Sequence, residues 1–161
     1  MNAEYANIFI RCAVDVFQKE VGVHLTRKDL VKKSAPVPTQ PISIIVGITG
    51  FIRGQVVYAI DSNFAYSVAH AMLPNRLPVD IKKVVNSAIS EIANIITGQA
   101  SIALAGGSGK IDLTPPVVLM ASDLTIDFVD MPTISLSLIS EIGVLEINIA
   151  LADEEKAGQH A

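Results

Sequence analysis

The chain has 161 residues, with 12 Lys and Arg against 16 Asp and Glu, 50% apolar residues, 17% charged residues and no Trp. That length suits one domain able to bury about two thirds of its unfolded surface, and high hydrophobicity with a net charge of only -4 excludes an intrinsically disordered chain. The acidic balance leaves no surplus of cations to neutralise a phosphate backbone, so nucleic acid is not an expected partner.

A lone Cys12 with no CxxC pattern fits a reducing compartment and argues against a structural zinc site. Glu4 stands where a secretory signal would carry Lys or Arg, and Arg11 interrupts any apolar segment behind it. Two long uncharged runs, 34–52 and 92–109, are broken by Pro36, Pro38 and Pro41 in the first. The second contains Asn94, Thr97, Gln99 and several glycines, so neither is expected to span a membrane. The expected location is the cytoplasm.

Residues Ala3 to Glu20 space Ile8, Phe9, Cys12, Ala13, Val16 and Phe17 as the stripe of an amphipathic helix, which Gly22 stops. A short extended piece and a polar loop, Thr26 to Ser34, are expected next. Pro41 then opens two β-rich runs, Ile42 to Thr49 and Gln55 to Ile60, around the Gly50-Phe51-Ile52-Arg53-Gly54 turn, which predicts a hairpin. Consecutive apolar residues in both runs imply burial on both faces. Asp61 is placed to cap a helix through Met72, ended by Pro74, and Asp80 to cap a longer one that Gly106-Gly107 stop after Ala105. Strands follow at Lys110 to Leu113 and Asp123 to Phe128. A last hairpin, Pro132 to Leu151, sets Ile134, Leu136, Leu138, Leu145, Ile147 and Ile149 on a core face against Ser135, Ser137, Glu146 and Asn148 on a wetter one.

Pro, strand, Gly turn, strand thus occurs twice. The whole predicts an α+β fold with a largely antiparallel sheet, long helices packed on it and a pseudo-repeated hairpin. Residues 1–152 read as one domain and 153–161 as a charged, flexible C-terminal tail.

On the long helix, Ile81, Val84, Val85, Ala88, Ile89, Ile92, Ile95 and Ile96 form one apolar arc. Ser87, Glu91, Asn94 and Gly98, spaced i, i+4, i+7 and i+11, line a second stripe beside it. Glu91 is the only charged residue between Lys83 and Lys110. Ordinary solvated surface accounts for such a stripe too. Yet Asn and Gly cost about 0.5 to 1 kcal/mol each against Ala in a helix, so a plain surface would favour Lys or Ala there.

The string from Ser87 to Gly98, with Ser, three residues, Glu, two residues, Asn, resembles the signature of the CheC/CheX/FliY phosphatases of bacterial chemotaxis. The family's later proline is matched by Pro115 and Pro116, and its Gly-bounded hairpin and opening helix by residues 46–58 and Asn7-Ile8-Phe9. One complete signature makes the chain more similar to the CheX branch than to CheC, which carries two. The partial copy Glu4-Tyr5-Ala6-Asn7 has no room for the preceding Asp or Ser.

The resemblance implies hydrolysis of the aspartyl phosphate of a CheY-like receiver domain, with Glu91 and Asn94 catalytic and Ser87 and Gly98 on the partner-binding surface. It implies that this chain binds no cofactor, Mg²⁺ being supplied by the receiver, and that the protein is a homodimer whose sheet continues across subunits, with the last hairpin offering the exposed edge. The alternative is a non-catalytic CheX-like module that binds a receiver or assembles a complex.

Other patterns fall short. In Ala105-Gly106-Gly107-Ser108-Gly109-Lys110 a phosphate loop would need Gly at Leu104, Ser or Thr at Ile111, and the reverse order of strand and helix. His24, His70 and His160 have no metal-ligand spacing, and no GxSxG elbow is present.

Overall fold

A computed structural model describes residues 3–33, 38–75, 81–107, 109–120 and 131–153. In chain order its elements are α1 (Ala3–Glu20), β1 (Thr26–Lys33), β2 (Ile42–Gly50), β3 (Ile52–Ile60), α2 (Ser62–Met72), α3 (Ile81–Ala105), β4 (Ile111–Leu113), β5 (Val117–Met120), β6 (Thr133–Ser140) and β7 (Gly143–Asp153).

Helix α1 turns Ala6, Phe9, Ala13, Val16 and Phe17 inward and ends where the Gly22 N–H donates back to the Phe17 carbonyl at 2.9 Å. Asp61 caps α2 as expected, its carboxylate accepting from the Phe64 N–H at 2.8 Å, a contact worth about 1 kcal/mol. The expected cap at Asp80 and the strand at Asp123 to Phe128 lie outside the described residues, as do residues 154–161 of the expected tail. Asp153 itself closes β7, pairs with Ile52 and accepts a hydrogen bond from the Tyr5 hydroxyl.

The described strands form one antiparallel sheet, ordered β1, β6, β7, β3, β2, β4, with β5 also on β2. The two predicted hairpins, β2–β3 and β6–β7, therefore lie side by side, joined along β3 and β7 from Ile52↔Asp153 to Ala59↔Glu146. Neighbouring backbone dictates the first hairpin's glycines. A Cβ on Gly50 (φ +127°) would stand 2.1 Å from the Lys110 carbonyl oxygen, and one on Gly54 (φ +147°) 1.8 Å from that of Ala150, so a side chain at either would push β4 or β7 away.

Ile44, Val46, Ile48, Val56, Tyr58, Leu136, Leu138, Ile147 and Ile149 build the sheet face of the main core, which α1, α2 and α3 close. Phe17 of α1 and Phe64 of α2 meet across it in a tilted pair, ring centroids 5.6 Å apart.

Three expectations need correction. The polar segment after α1 is a strand, β1, paired with β6 from Thr26↔Ile139 to Lys33↔Thr133; its side chains are exposed up to Lys32, so no apolar alternation announces it and the long-range ladder holds it. The last hairpin is no edge, because β6 is covered by β1 and β7 by β3. Nor is its second face wet: Ser135, Glu146 and Asn148 are only 6%, 3% and 0% exposed. Burying a carboxylate demands donors, and Glu146 accepts from the Thr39 backbone N–H, the Thr39 hydroxyl and the Asn148 side-chain amide.

Helix α3 is, among the described residues, the one helix long and apolar enough to cross a membrane by length and composition. In the fold its apolar side packs against α1, α2 and β2.

Candidate functional site

Helix α3 carries the signature, and its rotation decides what the signature faces. Val85, Ala88, Ile89, Ile92, Ala93, Ile96, Thr97 and Ala100 are buried, whereas Ile81 is 40% exposed. The buried arc is thus shifted from the expected one towards Ala93, Thr97 and Ala100, because α3 packs against both α1 and α2 and not on the sheet alone. The shift carries the polar stripe almost opposite the core: Ser87, Glu91 and Asn94 are exposed and Gly98 half-buried.

Sequence reasoning missed the anchor that fixes this rotation. Thr97 is fully buried; its hydroxyl donates to the Ala93 carbonyl one turn back at 2.7 Å and lies 2.8 Å from the Tyr58 hydroxyl of β3. With the Thr97 proton spent on the helix, the Tyr58 hydroxyl is the donor to Thr97. Burial pushes the Tyr58 phenol well above its ordinary pKa, so it remains a protonated donor throughout the neutral range. The available signal was a Thr inside an apolar helical arc, where a polar group needs a partner.

Glu91 and Asn94 sit one turn apart, about 4.5 Å along the axis, and make no side-chain hydrogen bond or ion pair among the described residues. Both are available to an incoming molecule. Ser87 and Glu91 also line one side of an open depression whose other wall is Met72 and Leu73 at the end of α2. Across Gly98 the surface is low: a Cβ there would meet nothing within 4 Å. Among the described residues no three His, Cys, Asp or Glu side chains gather in a way that could hold a metal. His24 and His70 lie apart, on the segment before β1 and near the end of α2. The partial copy Glu4 and Asn7 is exposed on the first turns of α1.

An acid and an amide on a convex helix face can orient a water and pair with a cation. Charge developing on a phosphoryl group calls for cations arranged around it, and Glu91 and Asn94 bring none. Such a pair is suited to a macromolecular substrate that carries the rest of its own reaction centre.

The profile of the family described as chemotaxis phosphatase CheX matches residues 42–137, more than half of the chain. The CheY-P phosphatase CheX of Thermotoga maritima is 28% identical over 127 residues, covering 78% of this chain and 81% of that protein. The crystal structure of the chemotaxis protein CheX from Desulfovibrio desulfuricans superposes with a TM-score of 0.82 at 26% identity, over 94% of this chain and 99% of that one. CheX in the CheX-CheY-BeF3-Mg²⁺ complex from Borrelia burgdorferi shares the fold, with a TM-score of 0.74 at 21% identity over 92% and 98% of the two chains.

Proposed function

The chain belongs to the chemotaxis phosphatase CheX family, and on that premise we propose that it hydrolyses the aspartyl phosphate of a CheY-like receiver domain through Glu91 and Asn94. The observation that carries this reading is the pair itself: an acid and an amide one turn apart, within the residues the family profile matches, exposed together on a helix whose opposite side is locked into the core.

The chemistry asks little of this chain. A receiver supplies Mg²⁺, a Lys and a Thr or Ser around its phosphorylated aspartate, so most of the transition-state charge is met by the substrate protein, and what remains is to place one water in line. The Asn94 carboxamide both donates and accepts, so it holds a water's orientation without titrating. The water oxygen forms the new bond to phosphorus as the P–O bond to the aspartyl carboxylate breaks. Inorganic phosphate and the free carboxylate leave, and the water's proton ends on phosphate or in solvent. Neither Glu91 nor Asn94 need act as a general base, because a loose phosphoryl-transfer transition state requires little activation of the nucleophile. Glu91 pairs with a receiver Lys and fixes the register of the amide. Ser87 and Gly98 complete the contact surface, the glycine by letting the partner approach closely.

On this reading Mg²⁺ belongs to the receiver, the protein works in the cytoplasm beside it, and the protein is a homodimer whose sheet continues across subunits. An edge suited to that is β1, where Leu30 and Val31 are 39% and 50% exposed. Sedimentation should give a dimer mass, and a monomer at micromolar concentration contradicts that part.

The test of function is a mixing assay. A CheY-type receiver from the same cell, phosphorylated with acetyl phosphate and Mg²⁺, should lose its phosphoryl group faster in the presence of catalytic amounts of this protein. Unchanged decay together with stable complex formation would instead establish the binding module.

A further inference from the structure

The signature stripe does not end at Gly98. One turn further stands Ile102, 76% exposed and the most exposed large apolar side chain among the described residues. At 100° and 1.5 Å per residue it falls about 20° from the direction of Glu91 and about 16 Å along the axis from it, and about 80° and 12 Å from Asn94. The surface therefore runs acid and amide, then the low ground at Gly98, then an apolar knob. The Ser101 hydroxyl lends this end no free polar group, because it donates back to the Gly98 carbonyl at 2.8 Å.

Among the described residues nothing packs on this isoleucine to explain it. Its side chain is not packed, and a β-branched residue is a poorer choice for an exposed helix position than Lys, Glu or Ala. The other end of the stripe is mixed: Met72, Leu73 and Val84 line the depression beside Ser87 and Glu91, together with Lys83.

We propose that Ile102 is the distal anchor of the receiver-docking surface, burying itself against an apolar patch of the receiver while Glu91 and Asn94 enter the phosphorylated site. This rests on the reading of Glu91 and Asn94 given above. The occupant follows from continuity and size. A standard protein interface covers about 800 Å² on each partner, a patch about 30 Å across, so a receiver centred on the stripe near Asn94 reaches about 15 Å in each direction and still covers, towards its margin, a side chain about 12 Å further along the axis. A second copy of this chain seated on Ile102 would instead obstruct the stripe. Ile102 thus contributes affinity and selects receivers that offer an apolar counterpart; it takes no part in the chemistry.

The experiment measures steady-state dephosphorylation of the CheY-type receiver, phosphorylated with acetyl phosphate and Mg²⁺, by the wild type, Ile102→Ser, Ile102→Leu and Asn94→Ala. For Ile102→Ser the expected result is a KM raised about tenfold, the scale of one buried apolar contact, with kcat and melting temperature held. Ile102→Leu, which keeps the apolar volume, should return KM to within about twofold of wild type. An unchanged KM in Ile102→Ser overturns the proposal, and so does a fall in kcat at constant KM, which would mean that the helix geometry was disturbed. A change in oligomeric mass in Ile102→Ser at constant KM also overturns it, by assigning the knob to a self-contact. Asn94→Ala tests the underlying reading separately: full turnover there removes the assignment of the site, whatever Ile102 does.

Discussion

The chain carries the step Glu, two residues, Asn twice on exposed helical surface, at Glu4 and Asn7 of α1 and at Glu91 and Asn94 of α3, and the two places are not equivalent. Glu91 and Asn94 lie in the middle of a 25-residue helix held to β3 through Thr97 and Tyr58. Glu4 and Asn7 lie in the first two turns of an 18-residue helix, which opens with backbone N–H groups that lack intrahelical partners and where one tie is the Tyr5 hydroxyl on Asp153. Seven residues beyond the acid, α3 has Gly98 and open space, whereas α1 has the exposed Arg11. Identical spacing thus gives a surface a partner can approach closely in one case and a bulky, cationic one in the other. Spacing alone does not make a site; what flanks it and what holds it still do.

The largest expected effect is the contrast between the two amides. Asn94→Ala should lower kcat on a phosphorylated receiver by about 10²-fold, the cost of losing the positioning of a reactant, and Asn7→Ala should leave it within about twofold. Comparable losses in both would make the copies functional equals and break the comparison.

Next come the acids and the flank. Glu91→Ala should raise KM by about tenfold, with a weaker dependence on salt than wild type, as expected for a lost charge pair at a docking surface, while Glu4→Ala should change neither. Gly98→Arg gives α3 the flank that α1 has. Because a Cβ at position 98 meets open space and Arg is the better helix former, the variant should fold with a melting temperature at or above that of wild type yet lose receiver binding; normal binding would show that close approach at Gly98 is unimportant.

Smaller effects belong to the two anchors. Tyr58→Phe leaves Thr97 bonded to Ala93 and removes only the donor from β3, so chemical denaturation should show a loss of about 1 kcal/mol. Turnover should fall in step if that contact aims the stripe. The Tyr5 phenol is pushed up from 10.0 to about 12, first by burial and then by Asp153, to which it donates. A raised folded-state pKa means that its contribution is whole below pH 10 and is lost as the pH rises towards 12. Tyr5→Phe should therefore flatten the decline of stability across that window, and an unaltered profile would show that the hydrogen bond does not matter.

Much of the fold was legible because its signals are local. The stripe of α1, the Asp61 cap, the Gly50 to Gly54 hairpin and the alternation of β6 and β7 lie within short windows whose period distinguishes helix from strand. What was not legible depends on partners far along the chain. β1 is a strand because β6 pairs with it, not because Thr26 to Lys33 alternate, and β5 is held by β2. Ser135, Glu146 and Asn148 read as solvent-facing since an alternating polar residue normally is, yet Glu146 is enclosed by donors that include Thr39, 107 residues away. The stripe from Ser87 to Gly98 was legible from helical spacing as a surface beside the apolar arc, but its place almost opposite the core was not, because the buried arc was set by α1 and α2. Ile102 was illegible for a simpler reason: in a sequence half apolar, one more isoleucine at the end of an apolar helix looks like core.

The central claim is that Asn94 acts on the attacking water and not on the docking of the partner. One measurement tests it directly: Asn94→Ala is mixed with receiver phosphorylated by acetyl phosphate in the presence of Mg²⁺, and complex formation and phosphate release are followed in the same sample. The predicted result is a complex of near wild-type affinity from which phosphate is released no faster than from the receiver alone. Release at the wild-type rate, or loss of the complex itself, would contradict the account.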